Sequence, residues 1–440
     1  MTKCNFTSDL FAPVKSKKIE ISTDGAGISS DAGVLLLREI DRKLNITNQI
    51  ASRIPDARNQ AYVVHSMKSL VRQRLYALAL GYEDYNDHDA LRKDVLMQSA
   101  VDRSEDLAGK STVCRFEQAA DMVAANEPLD HLLVDLYIKT RVAAPKEIIL
   151  DFDATDTPLF GDQEGRHFHG YYDRHCYLPL LVFAGDFPLH AGLRTSDSDP
   201  AKGALPVLSR LVTRLRGQWK NIRIVFRADA GFCRDDLLAW CEANSVQYIV
   251  GYAKNSVLMK HCEDVTEKVR IRSEKTKRRE RHFTSLDYRA GKWDAVRRVL
   301  VKAEHNPIGP NTRFVVTNMK GGARELYEDV YCARGDMENR IKEQQTDLFG
   351  HRMSSNSFAQ NAFRFLMSTF AYVLLNQLRE RALKGTELAN SYCGTIRSKL
   401  LKIGAVIVRN TRSIKVSLSS CHPFKELFML AAARLQAMTS

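Results

Sequence analysis

The chain has no Cys-x-x-Cys pair among its nine cysteines, which are scattered through 440 residues. A tetrahedral zinc site needs four well-spaced ligands, so no structural zinc is expected. Dispersed, odd-numbered thiols point to a reducing compartment rather than a disulfide framework. The neighbours His175-Cys176, His261-Cys262 and Cys421-His422 are poor ligand pairs, because adjacent residues on a strand point to opposite faces. Long apolar runs are also missing. The longest uncharged one, 365–378, is 14 residues between Arg364 and Arg379, and a spanning helix needs about 20. The opening Met1-Thr2-Lys3-Cys4-Asn5-Phe6 lacks the basic-then-apolar order of a signal peptide. The expectation is a cytoplasmic chain with no membrane partner.

Acidic residues are in short supply. Lys+Arg number 65 against 52 Asp+Glu, a net charge of +13. The excess favours an anionic partner, most often nucleic acid or an anionic membrane surface. Hydrophobic residues at 44% and charged residues at 27% are ordinary globular values, which excludes a mostly disordered or fibrous chain. At roughly 100–200 residues per domain, the length predicts two to four domains.

The first 145 residues read as a mainly helical DNA-binding domain, with apolar residues at helical spacing over 32–44, 59–80, 88–101, 111–120 and 129–139. A short strand over 18–22 leads in. The 59–80 helix carries Lys68, Arg72 and Arg74 beside Val64, Leu70 and Leu75, a basic face suited to DNA. After Pro145 the pattern changes. Strand-like runs over 146–153, 177–184 and 189–194 come close together, then helix 201–216, strand 221–226, helix 235–242 and strand 246–252. That order predicts an α/β fold whose first three strands form a meander and whose later strands join in parallel. Residues 253–320 read as a β-rich basic insertion, with runs over 295–303 and 313–317. One long helix over 323–348 and a second over 357–383 complete the core in 321–384, and 385–440 forms a basic tail ending in a helix over 423–438.

Asp153 and Asp229 each end a strand-like run, in Asp151-Phe152-Asp153-Ala154-Thr155-Asp156 and Arg227-Ala228-Asp229-Ala230-Gly231. The carboxyl ends of strands are where an α/β sheet exposes its functional groups. Acids there are either solvated turn residues or hard-oxygen ligands for a divalent cation such as Mg²⁺. Asp151 is the rival of Asp153, since residues two apart share a strand face. Asp153 is preferred because it is nearer the strand end and has Thr155 two residues on. The third acid is Glu338. Tyr331, Arg334, Glu338 and Lys342 are spaced three, four and four apart, so they share one helix face. That stripe is either a salt-bridged solvated face or phosphate-binding groups beside a metal-binding carboxylate.

Asp153-Ala154-Thr155, Arg227-Ala228-Asp229-Ala230-Gly231-Phe232 and Tyr331-x-x-Arg334-x-x-x-Glu338 resemble the DDE motifs of bacterial insertion-sequence transposases. Gly161-Asp162-Gln163-Glu164-Gly165 and the stretch 395–417 are most similar to the group-1 (IS-thirteen-eighty) type. The likeness runs from about residue 28 to 424. It implies an RNase H-like core interrupted by a β-rich insertion, with Asp153, Asp229 and Glu338 as catalytic metal ligands. It implies two Mg²⁺ ions (or Mn²⁺ in their place) and strand cleavage followed by strand transfer. The implied partners are the element's terminal inverted repeats and target DNA, in a dimeric synaptic complex at the bacterial nucleoid. The wider family's signature has a Lys seven residues after the Glu; here that residue is Gln345, and Lys342 is the substitute one turn earlier.

Two further surfaces suit DNA. Residues 268–281 hold eight Lys or Arg against Glu274 and Glu280, with Lys277, Arg278 and Arg279 at the centre as phosphate ligands. Trp293 follows, either stacking on a displaced base or packed in a local core. The tail has no acid between Glu387 and Glu426 but seven basic residues, among them Arg409, Arg412 and Lys415. A catalytically inactive DNA-binding repressor shares these basic surfaces, and a nuclease without strand transfer shares the three acids.

Overall fold

The computed structural model describes residues 11–23, 25, 27–119 and 122–438; the opening six residues, considered above for a signal peptide, lie outside them. Two compact units are formed. One comprises the described residues of Met1–Lys43, Asn59–Phe116 and Gln377–Ser440, the other Leu44–Arg58 and Glu117–Asn376. The fold is mixed α/β, as expected.

The second unit is built on a nine-stranded mixed sheet. Its principal strands are β1 (Glu147–Ala154), β2 (Leu180–Ala184), β3 (Phe187–Gly192), β4 (Arg223–Ala228), β5 (Gln247–Tyr252), β6 (Glu280–Tyr288), β7 (Arg297–Asn306) and β8 (Arg313–Thr317). Their spatial order is β6-β7-β8-β5-β4-β1-β2-β3, with Gly309–Pro310 pairing β7 at the side. β1, β2 and β3 form an antiparallel meander. β4 runs parallel to β1, and β5 parallel to β4. Gly185, at φ 59°, opens the two-residue turn between β2 and β3, a position that favours glycine. Ile148, Leu150 and Phe152 of β1 are buried, and so are all five residues of β2. Helices cover the sheet: Tyr137 of Met122–Thr140 packs edge-on to Phe187, and Tyr372 of Phe358–Ala382 packs edge-on to Phe183.

Several expected elements differ. The run 177–184 is not one strand. It breaks at Leu178-Pro179, since Pro has no N–H for the ladder. Arg174–Tyr177 instead joins a small sheet with Thr157–Pro158 and His167–His169. The region 253–320 is not a separate β-rich insertion. It opens with helices Ser256–His261 and Glu263–Thr276, and then β8 pairs antiparallel with β5, so the strands β6 to β8 extend the central sheet. The helix over 323–348 is a composite, with regular α-helix at Ala323–Glu325 and Gly335–Lys342, π turns at Leu326–Tyr331 and Glu343–Asp347 and a 3₁₀ turn at Cys332–Arg334. Such irregular turns are frequent at functional sites.

The first unit joins the two ends of the chain, which the sequence reading kept as separate N-terminal and tail segments. Residues 18–22 form no strand; the first one, Ile28–Ser29, pairs with Ala405–Arg409, which pairs in turn with Ile414–Leu418. Gly33 donates its N–H to Leu401 O at 3.0 Å. A Cβ at Gly33 would lie 2.2 Å from Leu401 Cα, so only glycine allows this approach. The basic face expected on the 59–80 helix is also corrected. The helix is Met67–Leu80, where Lys68 is exposed but Arg72 and Arg74 are 7% and 1% exposed. Arg72 pairs with Asp102 and with Asp41 at 3.4 Å, and Arg74 donates to Glu83 O at 2.9 Å. A buried arginine must be paired in this way, because the desolvation cost is otherwise too large. Among the described residues, no helix is long and apolar enough to cross a membrane.

Candidate active site

β1 and β4 lie side by side and parallel, so their carboxyl ends open at the same edge. Asp153 stands at the end of β1. Asp229 directly follows β4 and caps the short turn Ala230–Phe232, accepting the N–H of Gly231 at 2.8 Å. The helix Gly335–Lys342 brings Glu338, and Arg334 at its N-cap is the common partner. Arg334 Nη1 donates to Asp153 Oδ1 at 3.0 Å and Nη2 to Glu338 Oε1 at 2.8 Å. Asp229 and Tyr331 also act electrostatically on this guanidinium. Residues that are 76, 109 and 185 positions apart, counting Asp229–Asp153, Glu338–Asp229 and Glu338–Asp153, therefore share one charge network.

The electrostatics follow from burial and like charge. Burial pushes the Asp153 carboxyl up to about 6, Asp229 and Glu338 add to the rise, and Arg334 opposes it. Burial works against the Arg334 charge, but Asp153, Asp229 and Glu338 outweigh it and push its pKa up. The site thus carries more negative charge than one guanidinium neutralises. Among the described residues no three His, Cys, Asp or Glu side chains are already set to hold a metal ion, and Arg334 lies between two of the three carboxylates.

Asp151 has a different role from Asp153. Its neighbour across the parallel ladder is Arg227, whose Nη2 donates to Asp151 Oδ2 at 2.7 Å; both side chains are under 10% exposed. Arg227 also donates to Val330 O, next to Tyr331. The pair therefore ties the sheet to the segment that carries Tyr331 and Arg334. Sequence reasoning missed this role, although Arg227 stands two residues before Asp229 and so shares its strand face. Gly251 on β5 was missed as well. A Cβ there would lie 2.6 Å from the Tyr331 hydroxyl and 2.8 Å from Ala230 N, so glycine lets β5, the Asp229 turn and Tyr331 meet. Gln345, at the position of the wider family's Lys, donates to Asp156 O at 3.1 Å, and Lys342 is exposed.

The basic candidates separate in the structure. Lys277 and Arg278 are exposed where Glu263–Thr276 ends. Arg279 is exposed as well, but it pairs with Glu304, a carboxylate 1% exposed that also accepts from Arg281 at 2.8 Å and pairs with Lys302 at 3.1 Å. Trp293 is 5% exposed and packs against Tyr252 and Tyr288 at 5.1 and 5.8 Å, with the Arg297 guanidinium over its ring. It is a core residue and offers no free face to a base. In the other unit, Arg409 donates to Ser104 O at 2.8 Å, and Arg412 and Lys415 are exposed.

Glu304 yields a pH prediction. Burial alone would raise its carboxyl, but hydrogen bonds from Arg279, Lys302 and Asn311 bring it down to about 2. A carboxylate whose pKa is lowered in the folded state stabilises above its unfolded value, and that stabilisation is lost as pH falls through the folded value. Glu304→Gln is expected to be less stable than the parent at pH 7. The gap should narrow as pH falls from about 4.5 toward 2, as read from urea midpoints. A gap that stays constant with pH would mean Glu304 does not titrate in this way.

This is a mixed α/β protein whose strand ends and adjoining helix gather three carboxylates around one arginine. The chain belongs to the family described as transposase DDE domain group 1, whose profile matches residues 11–440. No curated protein matches it. Among solved structures it is similar to a piggyBac transposase in a synaptic complex with hairpin DNA, at 10% identity and a TM-score of 0.42, over 95% of this chain and 85% of that one.

Proposed function

We propose that this transposase cuts DNA strands at the ends of a bacterial insertion sequence of the IS-thirteen-eighty type and transfers them into target DNA, with Asp153, Asp229 and Glu338 as its metal-binding triad. The observation that carries the reading is Arg334, whose guanidinium joins the carboxylates of Asp153 and Glu338 while Asp229 acts on it. A cation belongs at that point. The donor set fits the proposed group, because three hard oxygen ligands suit Mg²⁺ or Mn²⁺. Held by Asp153, Asp229 and Glu338, two such ions would supply Lewis-acid activation of an attacking hydroxyl and charge stabilisation for the leaving oxygen. The chain's own residues do the rest. Asp229 is oriented by the Gly231 N–H, and Tyr331 is held beside it by close packing on Gly251. Arg334, released from the carboxylates, grips the DNA phosphate as a planar two-pronged donor. Lys342, exposed on the same helix, adds a second phosphate contact.

The strand order β3-β2-β1-β4-β5, three antiparallel and then two parallel, supports an RNase H-like core. On this reading β6 to β8 widen that core, and the helices of the N-terminal region with the basic tail hold the terminal repeats. A dimer assembles with two DNA ends in the synaptic complex. The test is incubation of the full chain with end-labelled DNA of its own element and Mg²⁺ or Mn²⁺. Metal-dependent nicking at the element ends followed by joined products supports the reading. Nicking without joined products leaves a nuclease, and tight binding without any nicking leaves a repressor.

DNA contact by charge has its own measurement. Lys277→Ala with Arg278→Ala removes up to two phosphate contacts, and Arg412→Ala with Lys415→Ala two more. Each double variant is expected to flatten the slope of log affinity against log salt by about 1.8, at roughly 0.9 per contact. Arg279→Ala should lower stability through Glu304 without a comparable change in slope. Unchanged slopes in both double variants would make these runs solvated faces.

A further inference from the structure

Arg194 follows the end of β3 and is half-buried. Its hydrogen bonds go to main-chain carbonyls. Nε donates to Leu178 O at 3.0 Å, and Nη1 donates both to Pro200 O at 3.0 Å and to Lys202 O. Leu178 N–H returns a bond to Arg194 O at 2.8 Å. Burial pushes the guanidinium down to about 10, and Asp199 opposes that shift. The charge is kept there because it satisfies backbone acceptors that would otherwise go unpaired. The loop beyond it, 195–203, is tied down at two other points. Ser196 Oγ donates to His167 O at 3.1 Å, and Asp199 takes the Arg234 guanidinium at the start of the helix Asp235–Ala243. Asp199 also accepts the Ala201 N–H at 2.8 Å. What Arg194 adds is a grip on the carbonyls of Pro200 and Lys202.

Pro200 matters because of what it touches. A Cβ on Gly231 would lie 3.5 Å from Pro200 Cβ and 3.0 Å from Asp229 Oδ1. Gly231 is therefore enclosed between the Pro200 ring and the Asp229 carboxylate. Its N–H is the donor that Asp229 Oδ1 accepts at 2.8 Å. A continuous series of contacts thus runs from the Arg194 guanidinium through Pro200 and Gly231 to the carboxylate. We propose that Arg194 is a positioning residue for Asp229: it fixes the loop 195–203 so that Pro200 holds the Gly231 turn, and with it the carboxylate, in the orientation a divalent cation requires. This rests on the triad reading above. Partners in the outer shell of a metal site orient its ligands, and their loss costs about 10–100-fold in metal affinity or activity. The link acts through shape and not through charge. A planar guanidinium reaches three carbonyls in fixed directions, which an ammonium on a flexible stem does not hold together.

The test uses the full chain without DNA, titrated with Mn²⁺ and followed by electron paramagnetic resonance, beside cleavage of end-labelled element DNA. Arg194→Met and Arg194→Lys are each expected to bind Mn²⁺ about 10-fold more weakly and to cleave about 10-fold more slowly at saturating DNA. Their DNA affinity should stay within about 2-fold of the parent, because it is spread over many phosphate contacts. An Arg194 variant can also loosen the loop, so Pro200 supplies a second pair. Pro200→Gly removes the Cβ that faces Gly231 and should reproduce the loss of Mn²⁺ affinity. Pro200→Ala keeps that Cβ and should bind like the parent, both with melting temperatures close to the parent's. A parental Arg194→Lys would mean that charge suffices and overturns the role of the fork. A weakened Arg194→Met with a lowered melting temperature, beside a parental Pro200→Gly, leaves a loop staple and overturns the positioning role. Asp229→Asn is the control. If the parent binds no Mn²⁺, or Asp229→Asn binds it like the parent, the triad reading fails and the positioning role with it. If Asp229→Asn loses Mn²⁺ while the Arg194 variants and Pro200→Gly keep it, the positioning role alone fails.

Discussion

Asp153→Asn, Asp229→Asn and Glu338→Gln are each expected to lower metal-dependent cleavage by about 10³-fold or more, the scale on which loss of one member of a catalytic unit is felt. DNA affinity should change little, because it is spread over many phosphate contacts. The physical reason is the donor set: an amide keeps the shape of the carboxylate but cannot hold a divalent cation as a carboxylate does. Asp153→Asn has a second consequence that separates it from a folding defect. Its carboxyl is buried and disfavoured as an anion, with Asp229 and Glu338 adding repulsion, so the neutral amide should leave the metal-free protein at least as stable. Near-parental cleavage by any one variant, measured on end-labelled element DNA, would remove that residue from the triad. If Asp153→Asn cuts and a folded Asp151→Asn does not, the first ligand is Asp151.

Arg227→Ala is expected to cost about 3–5 kcal/mol of stability, the range for breaking a buried ion pair from one side. It leaves the Asp151 carboxylate, 2% exposed, without its guanidinium, and it frees the Val330 carbonyl that Arg227 holds. Burial already pushes the Asp151 carboxyl up, and the Arg227 hydrogen bond is what opposes that. Replacing both partners by apolar residues of similar size, Arg227→Met with Asp151→Leu, should recover much of the loss. Denaturant midpoints of the parent, the single variant and the double variant form the measurement. A single variant that loses under about 1 kcal/mol would mean the pair is not buried and coupled in this way. The same series tells positioning from chemistry. The double variant should regain stability faster than activity, because the anchor to the segment of Tyr331 and Arg334 is still missing.

Local pattern was enough for much of this protein. The runs ending at Asp153 and Asp229 are short, apolar and bounded by turn residues, so strand identity, the meander and the later parallel strands were legible before any coordinates. The spacing of Tyr331, Arg334 and Glu338 likewise placed three groups on one helix face, because side-chain direction along a helix is set by its own periodicity. Charge was harder to read. Arg72, Arg74 and Arg279 look like Lys68, Lys277 and Arg278 in the sequence, yet the first three are committed to Asp102, Glu83 O and Glu304. Whether an arginine is committed depends on the acid or carbonyl that the fold brings to it, nine residues on for Arg74 but 30 for Arg72 and 25 for Arg279. The same applies to Asp151 and Asp153. Period two puts them on one face, but only the register of β1 with β4 gives Asp151 to Arg227 and leaves Asp153 to Arg334. Local pattern was enough for the strands that become β1, β4 and β5 and for naming Asp153, Asp229 and Glu338 as candidate acids. Tertiary structure decided which charges are paired, that β6 to β8 belong to the central sheet and that the chain's two ends form one unit, because these depend on contacts between residues far apart in the chain.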